Sequence, residues 1–335
     1  MRPSPSLPAL SILFVVASLL LSACAPGLAT EPSTAPSLPT ASTEPSAPGD
    51  CPSKPDPGQV EGWSTSTQQP SVIPVLATNR VTCGDNRILV GLLDLQNRPI
   101  AAPDRTLKAR FFDLNADPTK PVADEIGTFA WGIPNVTGIY IFHTTFSHAG
   151  RWGVEFVTAA KGGQPETIRM TFDVATSTPV VRVGQKAPAS KTPTLADANG
   201  DVSKLSSDPH PDKAFYETSV ADAVKTHKPF VLVFATPKFC QTGECGPALD
   251  RVKPFGKAYP SVTFINVEPY ELKWDGAQLQ PVLTNNQLTP VPAVNEWGLL
   301  SEPWIFVVDK EGIVRGSFEG IAGDDELRAA IESVS

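Results

Sequence analysis

The chain has 335 residues, which sets a prior of about two domains, and an apolar content of 41% leaves room for an ordinary core. A formal charge of −8 argues against nucleic acid as a partner and against an electrostatic hold on anionic lipid. There are no long runs of like charge and no obvious internal repeats, but proline is abundant and crowds the first part of the chain.

Arg2 gives a short basic start, and an apolar run follows from Leu10 to Leu21. The run is too short and too near the N-terminus for a permanent transmembrane helix. It ends in Leu21-Ser22-Ala23-Cys24, which resembles the lipobox of bacterial lipoproteins. The resemblance implies a signal peptide over residues 1–23 and a lipid-bearing Cys24, hence an extracytoplasmic protein anchored to a membrane. Residues 24–69 are rich in Pro, Ser, Thr and Ala and are expected to form an extended spacer without secondary structure.

Export favours oxidised thiols. With Cys24 set aside for lipid, four of the five cysteines remain: Cys51, Cys83, Cys240 and Cys245. They allow three pairings. The close spacing of the last two favours Cys240–Cys245, which leaves Cys51–Cys83 as a structural staple.

Residues 70–176 have a period of two. Tyr140, Phe142, Thr144 and Phe146 fall on one face, as do Trp152, Val154 and Phe156, and again Met170, Phe172 and Val174. Runs at Arg87–Leu93 and Leu107–Leu114 also read as strands between turn-forming clusters. Several short strands over this length predict a β-sandwich, and the pattern resembles bacterial immunoglobulin-like domains. His143 and His148 lack the Cys or carboxylate company of a metal site, so a polar face or a turn is expected for both.

From residue 181 to 335 the pattern becomes mixed α/β. Thr218–Asp222 reads as a helix start, and Phe230–Ala235 as a buried strand. A helix is predicted from about Pro247 to Tyr259, bent at Pro254. Val262–Val267 is a second buried strand, Trp304–Val308 and Ile313–Glu319 flank a hairpin, and Asp324–Val334 closes as a helix. The predicted fold is therefore multidomain: a β-sandwich followed by an α/β domain with helices on both faces of its sheet.

A cysteine just after a buried strand, with a second at the start of the next helix, suits thiol chemistry. The helix N-terminus offers partial positive charge and free N–H groups, which favour thiolate, the species that attacks disulfides. On these residues, and on Val183-Gly184-Gln185-Lys186-Ala187-Pro188, residues 181–335 resemble the thioredoxin superfamily, in particular its exported, membrane-tethered thiol–disulfide oxidoreductases. The segment Trp297-Gly298 to Pro303-Trp304 is similar to the cis-proline segment of that family, which implies that Pro303 sits beside the dithiol and opens a backbone edge for a substrate chain.

The spacing departs from the family, because four residues rather than two separate the cysteines. Residues five apart on a helix point about 140° away from each other. A disulfide needs Cα atoms within about 7 Å. If Cys245 opens the helix, Cys240 must precede it on a loop, with Gly243 free to turn the chain. An alternative alignment makes Cys245 the first cysteine of a motif that has lost its second. Glu302 is a further departure. A carboxylate near Cys240 would raise its pKa, and Lys238 would lower it, unless both side chains point to water. The buried acid that the family carries in the preceding strand is absent, since Leu232 and Val233 fill that region.

The resemblance implies a dithiol enzyme that needs no cofactor and works on exported protein thiols and disulfides, with a membrane thiol as electron partner. Two other functions compete. A thioredoxin-like copper-handling protein would use the same cysteines, but no His follows His227 to complete such a site. A binding lipoprotein would keep Cys240–Cys245 as a permanent staple.

Overall fold

The computed structural model describes residues 51–63 and 70–335, all within one compact unit that spans Pro45–Ser335. The expected signal peptide, Cys24 and most of the expected spacer lie outside the described residues. Among the described residues strands dominate, and the few helices lie in the second half of the chain.

The first half is a sandwich of two antiparallel sheets. One has the order β1 (Val72–Leu76), β2 (Gly84–Asp94), β6 (Thr137–Phe146), β5 (Thr128–Ile133). The other runs β4 (Ala123–Ile126), β3 (Thr106–Asp113), β7 (Gly150–Ala159), β8 (Glu166–Val174). Alternation puts Ile88, Val90, Leu92, Tyr140, Phe142 and Phe146 of one sheet against Phe111, Trp152, Val154 and Phe156 of the other. Aromatic edges interlock there, with the Phe146 and Trp152 rings 4.9 Å apart.

Packed structure begins earlier than the composition of residues 24–69 predicts. Cys51 is disulfide-bonded to Cys83, Ser53 bridges Ala149, and Trp63 is buried against Phe112 and Leu114. A Cβ on Gly153 would come within 2.5 Å of the Trp63 ring, so that glycine makes the seat for the indole. A covalent bond and one large aromatic hold a proline-rich strap that propensity alone would leave unpacked.

The second half is built on a sheet of order β10 (Thr263–Val267), β9 (Phe230–Phe234), β15 (Trp304–Val308), β16 (Val314–Glu319), in which only β9 and β10 are parallel. All five residues of β9 and of β15 are buried, because both faces of the sheet are covered. On one face lie α2 (Cys245–Ala258) and α4 (Asp324–Glu332), through Leu249, Val252, Leu327 and Ile331. The other holds α1 (Val220–Lys225) and α3 (Pro292–Glu296), where Trp297 packs between Phe234 and Phe306. Between β10 and α3 the chain adds two small hairpins, β11 (Leu272–Trp274) with β12 (Leu279–Pro281), and β13 (Leu283–Thr284) with β14 (Gln287–Leu288).

The sandwich and the second sheet meet through the outer face of β2, β5 and β6. Leu89, Ala130, Ile139 and Ile141 form one apolar cluster with Ala248 of α2 and Ile321, which follows β16. At its rim Arg87 grips Glu326 with two nitrogens, at 2.9 and 2.6 Å.

Candidate functional site

The parallel strands β9 and β10 end on the same side of the sheet, and the chain that follows each one builds the site. From Phe234 the backbone leaves through Ala235–Phe239 to Cys240, which is partly exposed. Cys245 opens α2 and is fully buried. The helix therefore starts two residues ahead of the predicted Pro247, and it runs unbroken through Pro254. Pro247 falls at the third helical position, where an N–H has no intrahelical acceptor to lose.

Cys240 and Cys245 form a disulfide with Cα atoms 5.9 Å apart. Glu244 occupies the N-cap without a side-chain cap bond. Instead the Cys245 N–H donates to Cys240 Sγ at 3.1 Å. An unpaired amide of the helix start is thus aimed at the more exposed sulfur. The four-residue loop between the cysteines closes through Gly243, whose φ of +79° lies in the left-handed region.

Glu302 faces this loop from the start of β15. The Glu302–Pro303 peptide bond is cis, and Glu302 is only 6% exposed. A carboxylate oxygen of Glu302 and both sulfurs lie within 4.8 Å of one another. Its Oε1 accepts the Gln241 N–H at 2.9 Å, and its Oε2 accepts the Tyr270 O–H at 2.6 Å. The Gln241 side chain also donates to the Tyr270 oxygen, and the Thr242 hydroxyl donates to the Glu302 carbonyl. Burial, and then the acceptor Glu302, push the Tyr270 hydroxyl well above its usual range, so it stays a donor.

Lys238 donates to Gln278 beside β12, and its ammonium lies 5.6 Å from the centre of the Phe239 ring. Deeper under the sheet end, Glu268 accepts from Ser207 through both backbone and side chain. Burial drives its carboxyl up to about 7 against the opposing bonds from Thr236 and Ser207.

The sandwich supplies the other wall. A Cβ on Gly132 of β5 would come within 2.9 Å of Glu244 Oε1, and one on Gly243 within 3.5 Å of Ile133 Cδ1. Arg251 of α2 donates to the Trp131 carbonyl at 3.0 Å and to the Ala322 carbonyl at 2.6 Å. Burial between these elements raises the Glu244 carboxyl above its ordinary value.

Cys240 and Cys245, singled out in the sequence, are thus bonded to each other, with the carboxylate of Glu302, the residue before Pro303, beside them, while Cys51 and Cys83 pair with each other in the sandwich. His148 is buried, 3.0 Å from Asp113 and stacked on Trp152. His143 lies 3.7 Å from Glu326. Tyr270, Gln241, Glu244 and the β5 wall were not anticipated. The position of Tyr270 just past a parallel strand was the available clue, because sites gather at the carboxyl ends of such strands.

The chain matches no protein-family model, and no curated protein matches it. Several solved structures resemble parts of it. A DUF4426 family protein from Pseudomonas aeruginosa PAO1 is 12% identical with a TM-score of 0.21, over 28% of this chain and 76% of its own. The PmoD soluble domain from Methylocystis sp. ATCC 49242 (Rockwell) is 15% identical with a TM-score of 0.19, over 33% and 95%. MtrC from Shewanella baltica OS185 is 13% identical with a TM-score of 0.23, over 54% of this chain and 32% of its own. Superpositions this partial bear on neither fold nor activity. No described helix is long and apolar enough to cross a membrane.

Proposed function

We propose that the protein is an extracytoplasmic, lipid-anchored thiol–disulfide oxidoreductase, in which a thioredoxin-like domain follows an immunoglobulin-like sandwich. The observation that carries this reading is the seat of the Cys240 sulfur. It is partly exposed, takes the first N–H of α2, and lies beside the buried carboxylate that precedes cis-Pro303.

In the reducing direction, Cys240 thiolate attacks one sulfur of a client disulfide. The client S–S bond breaks, its other sulfur leaves as a thiolate, and a mixed disulfide forms on Cys240. Cys245 loses its proton and attacks Cys240 Sγ, which re-forms the Cys240–Cys245 bond and releases the second client thiolate. Two electrons pass from the dithiol to the client, and a membrane thiol partner restores the dithiol. The reverse sequence oxidises a client dithiol, and relative potential decides between them. The exposure of Cys240 and the burial of Cys245 support the order of attack. Cys24 would tether the chain, and residues 25–50 would space it from the bilayer.

Insulin reduction with wild type, Cys240→Ser and Cys245→Ser tests the reading. Wild-type turnover with both variants at background is expected. No wild-type turnover at any reductant level would overturn it. A second reading, a permanent staple in a binding protein, draws support from the complete burial of Cys245 and from the bonds on both halves of the loop. A reductant titration separates the two, since a staple resists potentials at which a working dithiol opens. No observation favours copper handling over either.

A further inference from the structure

Two opposing influences meet at the sulfurs. The Cys245 N–H points at Cys240 Sγ from 3.1 Å, and the positive end of α2 stabilises negative charge there. Against it stands the Glu302 carboxylate, within 4.8 Å of both sulfurs and 6% exposed. Little water intervenes at that burial, so the two are poorly screened from each other. Glu302 is itself tied to Gln241 and Tyr270. It cannot swing away from a newly formed thiolate without breaking those bonds.

We propose that Glu302 is the positioning residue of the dithiol: it clamps the widened loop and holds a buried negative charge that makes the reduced pair strongly reducing. The inference rests on the dithiol reading above. A carboxylate near a thiol disfavours the thiolate. Where the thiolate is populated, a less stable thiolate means a less stable reduced form, so the disulfide becomes harder to reduce and the dithiol a better electron donor.

The other ionisable groups around the pair do not remove this charge. Tyr270, after β10, remains protonated and donates to Glu302. Lys238, after β9, is engaged with Gln278, whose neighbour Asp275 is held near pKa 2 by the backbone N–H of Gln278 and its other bonds. Glu244, before α2, adds a carboxyl that burial raises. Glu319, at the end of β16, accepts from Ser301 and Asn79, and burial raises it too. From the sandwich, β5 brings no ionisable side chain, since its residues are Thr-Phe-Ala-Trp-Gly-Ile.

The test uses Glu302→Gln in the full chain. Glutamine keeps an oxygen for the Gln241 N–H and removes the charge, while its amide reverses the bond with Tyr270 by donating to the phenol oxygen. The Cys240 thiol pKa is read from the pH profile of iodoacetamide alkylation, and the potential from equilibration with glutathione. The expected result is a thiol pKa lower by about one unit. At a pH above both thiol pKa values, the equilibrium with glutathione should move about tenfold toward the reduced protein, or about 30 mV. Glu302→Asp, which restores charge, should return both values toward wild type. An E302Q protein with wild-type thiol pKa and potential would overturn the proposal and leave Glu302 a clamp alone.

If E302Q does not fold, the wild type still decides. In the reduced protein the carboxyl carbon resonance of Glu302 should shift as Cys240 ionises, because the coupling is reciprocal. A resonance blind to that ionisation would overturn the proposal equally. None of these readouts needs a client. Inactivity toward insulin would therefore sink the enzyme reading without touching this one, and an active enzyme with an unmoved E302Q would do the reverse.

Discussion

Arg87 of the sandwich and Glu326 of α4 form a two-pronged ion pair across the junction of the two sheets, at 2.9 and 2.6 Å, with side chains 10% and 19% exposed. Arg87 also donates to the carbonyls of Glu319 and Ile321. One guanidinium thus fixes the end of β16, the loop after it and the start of α4. Burial alone would raise the Glu326 carboxyl, but His143 and Arg87 outweigh it and bring it down to about 2.

Removing Arg87 leaves that carboxylate buried without its main partner. Arg87→Ala should cost about 2–4 kcal/mol at pH 7. Because the Glu326 pKa is depressed on folding, the stabilisation is complete above its ordinary 4.5 and fades as pH falls toward 2. Urea melts at pH 7 and pH 3 check this. The gap between variant and wild type should narrow at the lower pH, and an equal gap at both would contradict the assignment.

Ile141 lies on the outer face of β6, 3% exposed, in the cluster that joins the sandwich to Ala248 and Ile321. Ile141→Asp would bury a carboxylate with no partner there. The expected loss is about 3 kcal/mol or more. The joint between the sheets should open first, so one calorimetric transition should become two. A single peak at the wild-type temperature would show that the cluster does not couple the sheets.

Glu268 predicts a pH dependence of opposite sign. Its folded pKa, about 7, exceeds its ordinary 4.5. The native state therefore holds a proton that the unfolded chain has released. Its contribution is full below pH 4.5 and is lost as pH rises through 7, by something on the order of 3 kcal/mol. Glu268→Gln should flatten the stability profile in that window and unfold later than wild type at pH 8. A variant that keeps the wild-type slope would relocate the titrating group.

The Cys51–Cys83 bond closes a segment of 32 residues. Replacing both cysteines by serine should lower stability by about 3–4 kcal/mol, on the loop-entropy argument. The change should be confined to the sandwich and strap, with the Cys240–Cys245 potential unmoved. A shift in that potential would reveal coupling through the sandwich.

The sequence makes much of this visible, by mechanisms that can be named. The all-apolar Phe230–Phe234 run and the clean alternation in Met170–Val174 each announce their strand, because burial on two faces or on one writes a distinct period. The junction between the sheets is harder to see. Leu89, Ile139 and Ile141 break the alternation of β2 and β6, and those unbroken apolar runs mean that both faces are covered. Reading only Tyr140, Phe142 and Phe146 misses the second face. Pro247 misplaced the start of α2, because proline is tolerated anywhere in a first turn. Around the Cys240–Cys245 disulfide, Glu302 stood out as unusual, but Glu244 carries no local pattern and Tyr270 only its place just past a parallel strand. Their roles come from contacts between residues far apart in sequence.

The ties on the 240–245 loop have a kinetic side. Gln241 and Thr242 are held by Glu302, and Gly243 and Glu244 back onto β5, so little of the ring's freedom remains to be lost when the sulfurs meet. In the proposed exchange Cys245 would act on a client caught on Cys240 with the high effective molarity of a pre-formed ring. Captured clients would then have short lifetimes. Trapping one for identification would require Cys245→Ser, which removes the sulfur that ends the encounter.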